Sequence, residues 1–378
     1  MQLIRYTIKK GDTLEKIASE RNTTPIRLKN FHNTHCDFQD LILENEIPRG
    51  LEFLIMETGQ KELSDEDEKE MQIFFLPKSK GPQTYTSSHL TEIEINNVPL
   101  ATFTQNQEFN LSIEESGIIY PFCTLQITKN DFDDGIGLKG EFGGLLESVV
   151  RLKDYLELNL TPHGTIYRVE NRKQLREKWE KLKEDLKNNP LLSEIPSSQM
   201  QEMIEKGDQE FSNSYPLEEE LNKSVFHSYL FFPLYGRMFL PKKTYEMQQD
   251  HHLISMLFSG ERIPLRTTLT ITEDKEANEY LVKVESQVNK VLLDRNTLQQ
   301  RYKEEYPFLK DAFDRYDVLI NAMYAIGKED SILNFADIQI EELVNNNMNA
   351  FQRLEIERIV SENKSEEENK DEKGSICS

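Results

Sequence analysis

The first part of the chain changes from a strand-like to a helix-like spacing of apolar positions. Residues 4–9 alternate apolar and polar side chains, which predicts a strand with one buried face. Asp12, with a glutamate three residues later, has the spacing of a capping box and predicts the start of a helix. Thr24, followed by a proline, predicts a second helix start. Residues 51–55 predict a closing strand, so the order is strand, helix, helix, strand.

The middle of the chain is richer in strand signals. Residues 90–169 contain short apolar runs separated by turn residues, which predicts a β-rich domain. Asn96 and Asn97 lie between two such runs and have the pattern of a two-residue hairpin turn. Residues 58–89 predict an acidic and polar linker, because residues 61–70 contain six acids and two lysines.

From residue 170 onwards the pattern predicts mainly helices. Leu175 and Trp179 begin a series of apolar positions spaced three or four apart, which is typical of an amphipathic helix. Apolar residues between 281 and 302 follow heptad spacing, which predicts an intramolecular helical hairpin. Residues 362–378 combine many charges with few apolar side chains and predict a disordered acidic tail.

The N-terminal motif resembles a known family. Residues 6–18 (YTIKKGDTLEKIA), then Leu28 and Asn33, then residues 47–55 (IPRGLEFLI) together resemble the LysM carbohydrate-binding domain. The resemblance covers about residues 2–56 and implies a βααβ fold that binds N-acetylglucosamine polymers such as peptidoglycan. The carbohydrate-binding residues that it implies are Gly11, Asp12, Thr13, Leu14, Ile47, Pro48 and Arg49.

The predicted fold class is α+β: a small βααβ LysM-like domain, a β-rich middle region and a mainly helical C-terminal region. The predicted division is a LysM-like domain at 1–57, a linker at 58–89, a β-rich domain at 90–169, a mainly α-helical region at 170–361 and a tail at 362–378. The remainder after the LysM-like domain resembles no family.

Composition narrows the class of partner and the compartment. The 378 residues carry a net charge of −22, which argues against nucleic acid or an anionic membrane as the main partner. Hydrophobic residues make up 37%, no apolar run is long enough to span a membrane, and the first residues do not form a signal peptide. Three scattered cysteines predict no disulfide framework. The expectation is therefore an acidic, soluble, cytoplasmic protein.

Two glycine-rich or acidic motifs imitate ligand sites. Residues 135–140 match G-x-G-x-x-G, but the acidic run at 130–134 precedes them where a dinucleotide fold needs a strand. The same stretch imitates a calcium loop, although Phe132 occupies a position that requires an oxygen ligand. Both stretches are interpreted as loops, and no cofactor is expected.

Sequence patterns that would indicate a metal site or a catalytic site are also weak. His32, His35 and Cys36 lie close together but lack a fourth zinc ligand, and His251 and His252 are adjacent, so they diverge on a helix. No nucleophile motif is present. A carboxylate pair cannot be identified among 67 acids by sequence. No metal site and no catalytic residue is therefore predicted, and the chain is expected not to be an enzyme.

An aromatic stretch leaves two interpretations open. Residues 226–239 contain six Phe or Tyr side chains, which predicts either a buried core or a surface that binds a protein partner. Trp179 is expected to be a packing residue and not a sugar-stacking one.

The sequence favours a non-enzymatic binding or adaptor protein that binds peptidoglycan or another N-acetylglucosamine glycan and has protein partners. A LysM-like domain without a leader resembles those of bacterial contractile (phage-tail-like, type VI-like) injection systems, which implies a component or exported cargo of such a machine. The alternative is a peptidoglycan hydrolase or toxin with a cleft in residues 90–270 that holds a carboxylate or histidine pair of perturbed pKa. A third interpretation is protein–protein contact through the long loop at 32–46.

Overall fold

The computed structural model describes most of the chain. The described residues are 3–21, 23–36, 42, 47–48, 50–57, 73–75, 81–114, 121–133, 148–161, 164–188, 197–231, 234, 238–239, 244–309 and 312–359. The sequence interpretations of residues 61–70, 135–140 and 362–378 therefore lie outside the described residues, as does Arg49.

A small unit at the N-terminus has the predicted order of elements. It consists of β1 (Leu3–Thr7), α1 (Leu14–Glu20), α2 (Pro25–His35) and β2 (Phe53–Glu57). β1 and β2 are antiparallel, with Leu3 opposite Glu57. The buried side chains that hold the unit together are Leu14, Ile17, Ala18, Leu28, Ile42, Leu54 and Met56. These residues form a core of their own, separate from the core of the remaining chain.

The larger part of the chain is built mainly from strands. They are β3 (Ile73–Phe74), β4 (Gln83–Ile95), β5 (Val98–Glu114), β6 (Phe122–Asp133), β7 (Tyr155–Leu160), β8 (Ile166–Val169), β9 (Met238–Phe239), β10 (Thr244–Ile254), β11 (Arg262–Asp274), β12 (Glu279–Val288), β13 (Tyr316–Gly327), β14 (Leu333–Val344) and β15 (Met348–Arg358). The helices are α3 (Arg172–Asn188), α4 (Ser197–Glu210), α5 (Leu217–Lys223), α6 (Val225–Leu230) and α7 (Arg295–Glu305), and Arg151–Lys153 forms a 3₁₀ turn.

Eleven strands form one antiparallel sheet within the described residues. Its order is β10-β11-β12-β13-β14-β15-β4-β5-β6-β7-β8, and β3 pairs separately with β9. The sheet consists of two meanders, β10 to β15 and β4 to β8, which are joined where β15 pairs with β4. Helices α3 to α6 lie in the sequence between the two meanders, and α7 connects β12 to β13.

The hairpin predicted at Asn96 and Asn97 is confirmed. Both residues have positive φ, 55° and 60°, which a two-residue turn of this kind requires at both central positions. Asparagine tolerates this conformation better than most residues because its short side chain bonds locally. The turn connects β4 to β5, the longest strand pair of the sheet.

The predicted fold class is wrong for the C-terminal region. Residues 244–288 and 316–358 are strands of the large sheet, and α7 is the only α-helix described after residue 238. The chain is therefore mostly β, and the mainly helical C-terminal region does not exist. Strands from the predicted β-rich region and from the predicted helical region share the same sheet. The domain boundaries themselves stay a prediction.

The error at β12 has a physical cause. Val282, Val284, Ser286 and Val288 are its buried positions, and they alternate with exposed residues as a strand requires. Ser286 is buried although it is polar, so the sequence does not show a regular alternation of apolar and polar residues here. Val284 and Val288 are four residues apart, so the same residues also fit a helical period.

The helices cover one face of the sheet, which we call the inner face. The ring of Phe226 in α6 meets the ring of Phe109 in β5 edge-on, with centroids 5.3 Å apart. The Tyr324 hydroxyl in β13 donates to the Tyr229 carbonyl at 3.3 Å. Phe226 and Tyr229 are both buried, as are Phe231 and Phe239, so for these residues the core interpretation of the aromatic stretch is confirmed.

Trp179 is a packing residue, as predicted. It is 1% exposed, its ring stacks on Phe211, and its indole N–H donates to Asp208 at 2.8 Å. The ring lies against Gly207 of α4, where a Cβ atom would come within 2.3 Å of it. This close approach explains a glycine in the middle of a helix.

Side chains of α5 protect the edge strand β8. The Asn222 side chain accepts a hydrogen bond from the Ile166 N–H and donates to the Ile166 carbonyl, both at 2.9 Å. Glu218 accepts from the Val169 N–H at 3.0 Å and also pairs with Arg172. These contacts use backbone groups that would otherwise be open to pairing with another strand.

Two half-buried histidines with lowered pKa values, His227 and His251, make the stability of the fold depend on pH. Burial lowers the pKa of His227 to about 4, and Lys153 lowers it further in the same direction. Burial and the neighbouring His252 likewise lower the pKa of His251 to about 4. The unfolded chain therefore binds more protons than the folded chain between the two pKa values, and stability is lost as the pH falls from about 6.5 towards 4.

We expect His227→Leu to reduce this loss of stability on acidification. A lowered pKa of this size corresponds to about 3 kcal/mol as an upper bound for each histidine. Urea unfolding at pH 7 and pH 5 measures the difference for wild type and variant. The exposed His252 supplies the control His252→Leu, which removes only the smaller of the two causes that lower the pKa of His251 and should retain most of the wild-type pH dependence. An unchanged pH dependence in His227→Leu would contradict the assignment.

Candidate functional site

The two segments implied by the LysM resemblance lie at the same end of the β1–β2 pair. Thr7 pairs with Phe53, and the Ile8 N–H donates to the Glu52 carbonyl at 2.9 Å. Because β1 and β2 are antiparallel, the turn after β1 and the segment before β2 are adjacent at this end. The structure therefore places the segment 11–14 and residues 47–48 at one end of the unit.

The carboxylate of Asp12 is held by groups of its own chain. Oδ2 accepts from the Tyr6 hydroxyl at 2.8 Å and from the Lys9 N–H at 2.9 Å. Oδ1 pairs with the Lys16 ammonium at 3.3 Å, and the Asp12 side chain is only 3% exposed. The Lys9 N–H, followed by the Tyr6 hydroxyl, lowers the pKa of Asp12 below its usual value. Asp12 is therefore a positioning residue that fixes the turn.

Thr13, and not Asp12, is the N-cap of α1. Its Oγ1 accepts from the Lys16 N–H at 3.2 Å, so the predicted capping box starts one residue too early. Gly11 has a φ of +91°, a conformation that disfavours side chains, and is exposed. Leu14 is 1% exposed and belongs to the core of the unit. Of the segment 11–14, Gly11 and Thr13 are thus the residues that face solvent.

The second segment combines an anchored and an exposed residue. Ile47 is half-buried and packs against the core of the unit, whereas Pro48 is exposed. The Pro48 carbonyl accepts from the Leu51 N–H at 3.2 Å, and Gly50 between them has a φ of +105°. This tight turn directs the chain into β2.

Two side chains of α2 bond to backbone groups of later residues in the unit. Asn33 Nδ2 donates to the Ile42 carbonyl at 2.8 Å, and its Oδ1 accepts from the Ile42 N–H at 2.9 Å. His32 is fully buried, and its Nδ1 accepts from the Ile55 N–H at 3.1 Å. His32 is thus engaged by β2, and no group of three or more metal-binding side chains exists among the described residues.

The sequence missed the positioning residues Tyr6, Lys16 and His32. Tyr6 and Lys16 belong to the quoted motif, but only their contacts with Asp12 show that they hold the turn. The sequence signal for the structural role of His32 was its position, because the helical period places this histidine on the buried face of α2. Among the predicted site residues that the structure describes, the exposed groups are the Thr13 hydroxyl, the surface of Pro48 and the backbone around Gly11, and none of these three is charged.

One buried carboxylate of the large sheet accepts several hydrogen bonds. Glu342 in β14 is 0% exposed and accepts from the hydroxyls of Ser255 and Tyr316 and from the Met256 N–H at 2.8 Å. Burial raises the pKa of Glu342. These hydrogen bonds connect β14 with the turn that follows β10. A substrate cannot reach this carboxylate in the described structure, so the perturbed pKa does not identify a catalytic site.

Comparison with known proteins identifies the small unit. The family model described as LysM domain matches residues 6–42, which include the Asp12 turn and both helices. No curated protein matches the chain. A solved structure titled "Lipid-protein interactions in lipovitellin" aligns at 11% identity with a TM-score of 0.37. That alignment covers 76% of this chain and 25% of the other, and a TM-score this low does not establish a common fold.

The LysM match does not extend to the large sheet. The LysM match covers residues 6–42, and the strands of the large sheet all lie after them. Within the described residues, no helix is both long and apolar enough to cross a membrane.

We expect Asn33→Ala to expose the Ile42 amide to solvent exchange. The variant leaves a donor and an acceptor without partners beside the fully buried Ile42, at a cost of about 1–3 kcal/mol. Native-state hydrogen exchange of the Ile42 amide in the full chain measures the loss. Asn33→Asp retains the acceptor for the Ile42 N–H and should give an intermediate rate. Equal protection of the Ile42 amide in Asn33→Ala and wild type would show that the two hydrogen bonds do not stabilise this part of the unit.

Proposed function

We propose that the N-terminal unit binds N-acetylglucosamine polymers such as peptidoglycan, and that the chain is a non-enzymatic binding or adaptor protein. The match of residues 6–42 to the LysM domain supports the ligand class. The observation that carries the proposal is the placement of Gly11, Thr13 and Pro48, all exposed, at one end of the unit. Arg49, which the resemblance also implies, lies outside the described residues.

The rigidity of the turn supports binding of a neutral ligand. Because Asp12 bonds to Tyr6, Lys9 and Lys16, the backbone around Gly11 is ordered before a ligand arrives. A pre-ordered loop loses less conformational entropy on binding. Hydroxyl and acetamido groups of a sugar can then bond to backbone groups and to the Thr13 hydroxyl. The acidity of the chain does not oppose such a ligand, since the sugar is uncharged.

The proposed cellular setting is a bacterial contractile injection system. A LysM-like unit fits a component of such a machine, or a cargo that the machine exports. Its protein partners would be other components of the machine.

The hydrolase alternative finds no supporting group in the described structure. Its predicted region, residues 90–270, contains the strongly shifted histidines His227 and His251. The two ring nitrogens of His227 are enclosed, and Nδ1 of the half-buried His251 is bonded to the Thr267 hydroxyl at 2.9 Å. Neither presents a proton-transfer group to a surface where a glycan chain could bind. The binding function is therefore the better supported proposal.

We expect the full chain to sediment with insoluble peptidoglycan, and Thr13→Ala combined with Pro48→Ala to weaken this binding about tenfold. Loss of one or two hydrogen bonds and of a packing surface accounts for a change of this size. Soluble oligomers of N-acetylglucosamine should compete for binding, whereas oligomers of glucose should not. Sedimentation over a range of peptidoglycan concentrations measures the affinity.

Two control variants separate binding from folding. Thr13→Ser keeps the oxygen that caps α1 and should bind nearly as well as wild type. Ser19→Ala changes an exposed hydroxyl on α1 away from the turn and should have no effect. Absence of binding by the full chain, or equal binding by the double variant, would refute the glycan proposal. Release of soluble fragments from peptidoglycan would refute the non-enzymatic part.

A further inference from the structure

The outer face of the large sheet, opposite the helices, carries two adjacent rows of side chains. Cross-strand pairing places the first row across β6, β5, β4, β15 and β14: Lys129, Glu108, Thr86, Glu357 and Phe335. The same pairing gives the second row: Asp131, Asn106, Ser88, Glu355 and Asp337. The sequence neighbours Tyr85, Phe109 and Ile356 are buried, so the rows belong to the opposite face.

A trough lies over these two rows, and residues of all five strands line it. Its volume is about 360 Å³, and its lining includes Thr86, Ser88, Asn106, Glu108, Phe335 and Glu357. We call it the outer trough. It exists only because β15 pairs with β4, since the two sides of the trough come from different meanders. No described helix covers this face at the trough.

Phe335 is the apolar feature of the outer trough. It is 37% exposed although it lies in the middle of a sheet, and Glu357 is directly opposite it on β15. Met323 on the neighbouring strand is 38% exposed on the same face. Exposed apolar side chains grouped on one face of a sheet are typical of an interaction surface.

Carboxylates outnumber basic groups along the two rows. Lys129 is shared by Glu108 and Asp131, at 3.6 and 3.2 Å. Arg353, which lies two residues before Glu355 on β15, pairs with Asp337 and Glu355. Glu357 has no ion-pair partner among the described residues. The free carboxylate is thus the one that lies beside the exposed ring of Phe335.

We infer that the outer trough binds a basic segment of a protein partner. An arginine or lysine of that segment lies over the Phe335 ring and pairs with Glu357, because a guanidinium can stack on an aromatic face while it bonds to a carboxylate. The rows are about 7 Å apart, the spacing of alternate side chains in an extended segment. A second basic side chain of such a segment therefore meets the carboxylates of the second row.

This function is separate from glycan binding by the N-terminal unit. Its residues lie in the large sheet, and the charge of the ligand is opposite to that of the trough. The probe is a labelled peptide of alternating arginine and alanine, with a glutamine-for-arginine peptide as the neutral comparison. Fluorescence anisotropy with the full chain at low and at physiological salt measures binding, since screening weakens exposed charge pairs.

We expect Phe335→Ser and Glu357→Gln each to weaken binding of the arginine peptide about threefold, and the double variant about tenfold. The matched control is Phe308→Ser with Glu276→Gln, which removes an exposed ring and a carboxylate elsewhere on the surface. It should bind like wild type. All four positions are at least partly exposed, so thermal unfolding should show little change and verify that the variants are folded.

Three outcomes would overturn the inference. Equal weakening by the double variant and its control would indicate general charge attraction to an acidic protein. An unchanged affinity of Phe335→Ser for the peptide would show that the Phe335 ring does not contribute to binding. Trough-dependent binding of an oligomer of glucosamine, without binding of the arginine peptide, would show that the ligand is a cationic sugar and not a protein segment.

Discussion

β15 pairs with β4 along its whole length, from Met348 opposite Ile95 to Arg358 opposite Tyr85. This contact joins the last described strand to the first strand of the large sheet and so turns two meanders into one sheet. Buried side chains such as Leu354 and Ile356 continue the inner face across the junction. The enclosed core beneath the helices and the outer trough both depend on this pairing, because each draws residues from both meanders.

Local features of the fold could be predicted from sequence, and long-range features could not. Asn96 and Asn97 identify their hairpin because only a few residues tolerate the required backbone, and the helix at Trp179 has a clear apolar period. β15 carries the polar Gln352 at a buried position, as β12 carries Ser286, so their alternation is broken. Pairing between strands distant in sequence leaves no local signal at all.

The candidate site shows the same division. The Gly11–Leu14 motif was visible in the sequence, and the LysM match includes it. The sequence could not show that the Asp12 carboxylate is already bonded to Tyr6, Lys9 and Lys16. Asp12 is prominent in the motif but positions the turn, whereas Thr13 and Pro48 are the exposed residues of the proposed site. The outer trough had no sequence signal, since Phe335 and Glu357 become neighbours only through strand pairing.

The structure thus describes a chain with two separate surfaces on two separate cores. The small unit carries the proposed glycan surface at the exposed Gly11, Thr13 and Pro48, whereas the trough is the proposed surface for a basic segment. A binding or adaptor role follows if both surfaces are occupied at once, because the chain would then connect a glycan to a protein. The large sheet would serve as the rigid support for the second contact.

Hydrogen exchange of the full chain under increasing denaturant tests most directly whether β15 and β4 unite the two meanders. The account predicts that amides of β4 and β15 are equally protected and lose protection in one shared transition, together with the central strands β5 and β14. Separate transitions for residues 83–160 and 316–358 would show two independent sheets and would contradict the account.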